Sequence, residues 1–291
     1  MSVTEPSLDA LRRDIDRIDD AIHDLLMQRC EVVERIAEVK GTGPAFMRPG
    51  REATILRRLV DRHGGRFPIP VLIRIWREML AAFTLLQGPF AVAVYAPEDE
   101  RGLWDMARDM YGSSTPMMAV NQPMPAVRAV FDGTATVAVV PWPDDRDGEP
   151  WWRALMSEDA KTPRVIAHLP FVVSARGNGR KGLAIARIPH EPTGDDHTLV
   201  AIELTEPVSR SRLKEALEDA GLPPVAFWNG PEREADSPVH LVEVTDFVGA
   251  DDARLGQLVD RLGFVGRRAV PIGGFAMPIV VDESGAEARP A

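Results

Sequence analysis

From Leu8 to Val39 apolar residues recur every three or four positions: Leu8, Leu11, Ile15, Ile18, Ile22, Leu25, then Val32, Val33, Ile36 and Val39. That spacing is the mark of an amphipathic helix. Ser7 before it and "GTGPAFMRPG" after it bracket one helix over 7–40, about 50 Å long at 1.5 Å per residue. A second helix is expected over 49–63, with Pro49 in its first turn and "HGG" closing it. A third is expected from about 70 to 87 after "FPIP", with Leu72, Trp76, Met79, Leu80, Phe83 and Leu86 as its core stripe. Three helices with one so long cannot bury their seams within one chain, which predicts dimerisation through the long helix. One slot of the long seam holds a misfit. Seven-residue steps align Leu8, Ile15, Ile22, Arg29 and Ile36, and an arginine is almost never fully buried without a partner.

Arg29 has company on the apolar faces. Glu52 shares a face with Ile55, Leu56 and Leu59, next to Arg51 in a first turn whose dipole favours anions. Gln87 follows Phe83 by four, and Lys40 follows Arg29 by 11, nearly the same face after three turns. Singly, each has a structural use: Glu52 can meet an inward arginine, and Gln87 can cap its own helix. As a set they leave excess positive charge, and buried unpaired charge costs several kcal/mol. A small anion inside the bundle would balance it. Arg12 precedes Arg29 by 17 positions, about 26 Å along a helix. If Arg12 belongs to such a site, it must reach it from an antiparallel second subunit.

Charge supports a focused anion site. The chain of 291 residues has a net charge of −10, but residues 1–90 carry 14 Lys+Arg against 13 Asp+Glu, leaving 20 against 31 elsewhere. An acidic whole with a nearly neutral, arginine-rich first third argues against nucleic acid. No run of about 18 uncharged apolar residues occurs, so no transmembrane helix is expected. "MSVTEPSLDALRRD" lacks a signal core and leads straight into a helix, which gives a cytoplasmic expectation. The single cysteine, Cys30, makes no internal disulfide. The six histidines show no ligand spacing, and no metal or cofactor is expected.

After "QGP" the periodicity changes. "FAVAVYAPE" reads as a short buried strand, "GLWDMARDMYG" as a helix, and "AVRAVFDGTATVAVVPWP" as a helix and a second strand. "RVIAHLPFVVSA" and "GLAIARIP" add strand-like pieces. The last part reads β-α-β-β-α-β through "TLVAIELTE", "SRSRLKEALEDAG", "PVAFWN", "VHLVEVTDF", "ADDARLGQLVDRLG" and "RRAVPIGGFA". The fold class is therefore an α bundle followed by α/β. Its expected division is a helical domain 1–89, an α/β domain 90–197, a βαββαβ domain 198–278 and a disordered tail 279–291.

"LDALRRDIDRIDDAIHDLLMQRCEVVERIAEVK", "RPGREATILRRL" and "IWREMLAAFTLLQ" together resemble the all-helical chorismate mutases, the kind often fused to prephenate dehydratase. Motif positions match in order over residues 8–87: Arg12, Arg29, Lys40, Arg51 with Glu52, and Gln87. The resemblance implies that Arg29, Arg51 and the partner's Arg12 hold the two carboxylates of chorismate. It implies that Lys40 and Gln87 donate to the ether oxygen and that Glu52 accepts from the substrate hydroxyl. Two positions depart from the pattern. Phe83 stands where a small residue, often serine, helps bind a carboxylate, and Arg48 stands where an aspartate often lies near the hydroxyl. The implied reaction, chorismate to prephenate, needs no nucleophile, metal or general base. It needs a folded conformer and stabilisation of charge growing on the ether oxygen.

The middle region resembles prephenate dehydratase in fragments only. "VPWPDD" replaces its Pro-Ile-Glu-Asn motif, "GLAIARIPHE" stands where Thr-Arg-Phe is expected, and the segment is short for two lobes. The end resembles an ACT domain, a module that binds amino acids at its interfaces, which makes an aromatic amino acid effector an expectation. "NGPER" stands where the Glu-Ser-Arg-Pro motif of phenylalanine sensing would lie. The main expectation is a dimeric chorismate mutase. The alternatives are a bifunctional mutase–dehydratase and a non-catalytic mutase-like regulator. "GNGRKG" fits GxGxxG through Gly177, Gly179 and Gly182, but it joins strand-like pieces and reads as a hairpin loop. "DDRDGE" reads as a solvated turn, and Trp142, Trp151 and Trp152 as packing.

Overall fold

The computed structural model describes residues 7–40, 47–99, 101–144, 150–157, 159, 161–175, 179–229 and 237–282. The long seam forms α1 (Leu8–Lys40), and the Ser7 hydroxyl accepts from the Ala10 N–H at 3.2 Å, as an N-cap does. Pro49 opens α2 (Pro49–Asp61), and α3 spans Ile69–Gln87. Then follow β1 (Val92–Tyr95), α4 (Gly102–Tyr111), β2 (Met117–Val120), α5 (Pro123–Phe131), β3 (Val137–Pro141), β4 (Arg164–Leu169), β5 (Val172–Ser174) and β6 (Gly182–Ala186). The βαββαβ part is β7 (Asp196–Leu204), α6 (Arg210–Asp219), β8 (Pro224–Asn229), β9 (Val239–Thr245), α7 (Ala253–Leu262) and β10 (Gly266–Ala276), and β11 (Ile279–Val281) closes the order.

One nine-stranded sheet runs β2-β1-β3-β6-β4-β10-β7-β9-β8. It crosses the boundary expected at 197/198 without a break. Strands such as β1 and β3 read as unbroken apolar runs because both their faces are covered. Val92, Val94, Val137 and Val139 face one side with α4, and Ala93, Ala138 and Val140 face the other with α5 and a short 3₁₀ turn, Trp151–Met156. Trp151 and Trp152 are core, as expected. α6 and α7 cover one face of the last four strands, and the other face continues the packing around Trp151 and Phe275.

The two halves of the sheet meet where Gly273 of β10 pairs with Val165 of β4. Gly273 has φ +115°, and a Cβ there would come within 2.2 Å of the Val165 carbonyl oxygen. Only glycine allows both the conformation and the approach.

Four expectations need correction. β2 was missed, because "MMAV" is short and carries two methionines rather than β-branched residues. Residues 279–281, expected in a disordered tail, form β11 in parallel register with β5, since Ile279 and Val281 point into the core; residues 283–291 lie outside the described residues. β6 pairs antiparallel with β3 and β4, not with the neighbouring β5, so "GNGRKG" joins strands of two different sheets; its Gly177 and Asn178 lie outside the described residues. The buried face of α3 carries Ile69, Ile73, Arg77, Ala81 and Thr84, with Phe83, whereas Leu86 is 60% exposed. α3 has two apolar faces, and the one against α4 and the sheet is the face a single chain can cover.

Among the described residues no helix is long and apolar enough to cross a membrane, and no group of His, Cys, Asp or Glu could hold a metal ion.

His168 lies on β4 between the Trp142 and Phe275 rings, with Nδ1 3.0 Å from the Pro170 carbonyl oxygen. Burial pulls its pKa down to about 4. The unfolded chain takes up this proton near pH 6.5 and the folded chain does not until about pH 4. Its contribution to stability is therefore complete above pH 6.5 and is lost as pH falls through that window, by about 1.4 kcal/mol per unit. Urea midpoints should fall between pH 7 and pH 4.5, and His168→Phe should flatten that decline.

Candidate functional site

The long helix touches the rest of the chain through α3. Its seam lies in the open: Leu8 is 64% exposed, Ile15 57% and Ile22 52%. Near the crossing with α3, Arg29 turns inward. Its guanidinium carbon sits 4.5 Å from the centroid of the Phe83 ring, a cation–π contact. Its Nη1 is buried without a hydrogen-bond partner among the described residues, and burial lowers the guanidinium pKa. No acid of the described chain answers Arg29.

The other expected residues meet different fates. Gln87 Nε2 donates to the Phe83 carbonyl oxygen at 2.9 Å and so caps its own helix. Arg51 is exposed in the first turn of α2 and makes no hydrogen bond or ion pair among the described residues. Arg12 lies far along α1, exposed and 3.3 Å from Asp9. Arg48 is committed elsewhere, 2.7 Å from Glu191 on the loop between β6 and β7. The Lys40 side chain lies outside the described residues. The structure thus brings Arg29 and Phe83 together, ties Gln87 to the Phe83 backbone, and leaves Arg12 remote, as the length of α1 requires.

Glu52 is the largest surprise. It accepts from Arg77 Nη1 at 2.7 Å, in a pair whose side chains are 16% and 4% exposed. Burial raises the Glu52 pKa, with the Arg77 charge acting against it, and burial likewise lowers that of Arg77. Sequence reasoning missed Arg77. The signal was present: Ile69, Ile73, Arg77, Ala81 and Thr84 follow helical spacing, with an arginine in the middle of the stripe.

Removing one member of such a pair strands a buried charge. Glu52→Ala is expected to cost about 3–5 kcal/mol of stability. Glu52→Gln with Arg77→Met should recover most of that loss, as urea titrations in a double-mutant cycle would show.

Several contacts fix α2 and α3 on the α/β part. Arg57 donates to Thr193 Oγ1 at 2.9 Å and to the carbonyl oxygens of Asp195 and Met277 at 2.8 and 2.9 Å. Glu78 accepts from the Ser113 N–H at 3.0 Å, and Arg74 pairs with Asp109 at 2.5 Å. The Tyr111 hydroxyl, buried near the Glu52 charge, has a raised pKa, mainly through burial.

Residues 11–88 match the family model for chorismate mutase type II. Over that segment the chain is similar to the chorismate mutases of that type. The segment includes α2 and α3 entire and all of α1 but its first turn. A bifunctional chorismate mutase/prephenate dehydratase of Pseudomonas aeruginosa is 30% identical over 155 residues, 50% of this chain and 41% of that protein. One of Neisseria gonorrhoeae, with the same description, is 36% identical over 87 residues, 30% of this chain and 24% of that protein. The chain thus spans about two fifths of the first of these relatives and about a quarter of the second. Among solved structures, a prephenate dehydratase from Streptococcus mutans is 13% identical with a TM-score of 0.47, covering 66% of this chain and 99% of that one. A quorum-quenching acylase described as of a novel type, GqqA, is 15% identical with a TM-score of 0.48, covering 65% of this chain and 96% of that one.

Proposed function

We propose that this protein isomerises chorismate to prephenate in aromatic amino acid synthesis, as a homodimer in which the partner's Arg12 completes each site. The observation that carries this reading is Arg29: a guanidinium turned toward Phe83 in the segment that matches the chorismate mutase model, with no acid against it among the described residues. Arg29 and Arg51 bind substrate carboxylates with the partner's Arg12. Lys40 and Gln87 stabilise the charge growing on the ether oxygen, and Glu52 orients the substrate hydroxyl. A fixed cationic donor in a dry site contributes several kcal/mol to such a barrier. The enzyme is then an isomerase without a cofactor, and the bare seam of α1 is where the second protomer packs.

Ultraviolet absorbance of chorismate, followed with purified protein, tests the reading. Conversion to prephenate by the wild type supports it. Unchanged chorismate at high enzyme concentration ends it and favours the second reading, a non-catalytic mutase-like regulator. That alternative draws on Phe83, whose ring occupies one face of Arg29, and on Glu52, which Arg77 already holds. Phe83→Ser separates the two readings further, since it frees the Arg29 face and should raise kcat/KM of an active mutase.

The middle region is proposed as a shortened dehydratase-like module without dehydratase activity, so prephenate should yield no phenylpyruvate. The divisions 1–89, 90–197 and 198–278 are proposed as sequence modules, not independent folding units, because one sheet crosses the last boundary. An aromatic amino acid effector at the βαββαβ part is supported by its element order, β10-β7-β9-β8 in the sheet. A thermal-shift series with Phe, Tyr and Trp giving no response would remove it.

A further inference from the structure

A cavity of about 340 Å³ lies between α3, α4 and the β5–β11 ribbon. It sits on the face of α3 away from the exposed stripe, and its volume is near the lower end of small-molecule sites, about 300–1,000 Å³. Ile73, Met106, Met110, Phe171 and Val172 give it apolar walls. At its edge Arg74 and Asp109 are closed on each other. One charged group inside is different. Arg77 is 3% exposed, and its guanidinium carbon lies 5.0 Å from the centroid of the Phe171 ring. Its Nη1 is given to Glu52, yet its Nε is buried without a hydrogen-bond partner among the described residues.

A guanidinium carries five N–H donors, and a buried donor left unmade costs about 1–3 kcal/mol. An anionic acceptor in the cavity would remove that cost. Because Glu52 already offsets much of the Arg77 charge, the fitting ligand is a monoanion, not a phosphate dianion. The walls select its body. We propose that this cavity binds a small amphipathic carboxylate, with its carboxylate at the Arg77 guanidinium and a compact aromatic or branched apolar group among the methionines and Phe171. Arg77 then stands between two carboxylates, the ligand's and that of Glu52, so occupancy weakens its hold on Glu52. This coupling rests on the mutase reading; the binding does not.

Calorimetry on the full chain with 3-phenylpropanoate, beside the uncharged 3-phenylpropan-1-ol, tests the proposal. Saturable binding of the acid is expected, with the alcohol at least about tenfold weaker for want of the charge-assisted hydrogen bond. Arg77→Met alone would strand Glu52, so two other variants are used. Ser174→Trp fills the cavity mouth from an exposed rim position, and the Glu52→Gln, Arg77→Met pair removes the cation together with its acid. Both should lose acid binding at least about tenfold while melting cooperatively. Absence of saturable binding, equal affinity for the alcohol, or wild-type affinity in Ser174→Trp would each overturn the site. Binding by a chain that leaves chorismate unchanged would keep the site and remove only its coupling to catalysis.

Discussion

Arg29→Ala should lower kcat/KM for chorismate by about 10²–10³, the loss seen when one preorganised donor to developing charge is removed. Its guanidinium is half-buried, with Nη1 shielded, and no described acid offsets it, so its charge remains available to a bound dianion. Lys40→Ala should cost more still, because in the proposed mechanism Lys40 faces the breaking ether bond itself. Stability should barely move at Arg29: the Phe83 ring is its main described contact, and removing a half-buried, unanswered cation costs the fold little. A variant that melts like wild type but converts chorismate slowly is the expected outcome. Near-normal turnover in Arg29→Ala would remove the group on which the catalytic reading stands.

Ile15→Asp with Ile22→Asp is expected to abolish the dimer. Both residues lie on the exposed seam of α1, more than half exposed in the single chain. Burying an isoleucine contributes about 1.5–3 kcal/mol, and a symmetric interface uses each position twice. Losing four such burials weakens association by at least about 10⁴-fold before the cost of four desolvated carboxylates is counted. Sedimentation should therefore show a monomer, and mutase activity should vanish with it, because Arg12 cannot reach Arg29 along its own helix. Ile15 and Ile22 are exposed in the single chain, so the unfolding transition of the α/β core should persist. A wild-type protein that sediments as a monomer yet converts chorismate would refute both the interface and the donated Arg12.

The helical third was legible because its information is periodic. Seam, cap and proline punctuation placed α1, α2 and α3 within about two residues, and the strands and helices of the βαββαβ part followed from alternation and helical spacing. The misfit of Arg29 in the seam was legible for the same reason. A local pattern reports which face of an element is apolar; it does not report what covers it. For α3, with two apolar faces, the pattern chose the wrong one for a single chain, and Arg77 went unseen with it. β11 escaped notice because a three-residue strand has almost no periodicity and depends on β5 for its partner.

The sequence by itself determined that a long amphipathic helix carries an arginine in its core line, and that a helical part precedes an α/β part. Tertiary structure alone decided which acid meets which base. Glu52 pairs with Arg77, 25 positions away, and not with Arg29; Arg48 goes to Glu191 on a distant loop. It also decided that β4 and β10 join two modules into one sheet at Gly273. Ion pairs and sheet edges depend on distances of a few ångströms between segments remote in the chain. Composition and spacing hold no record of those distances until packing sets them.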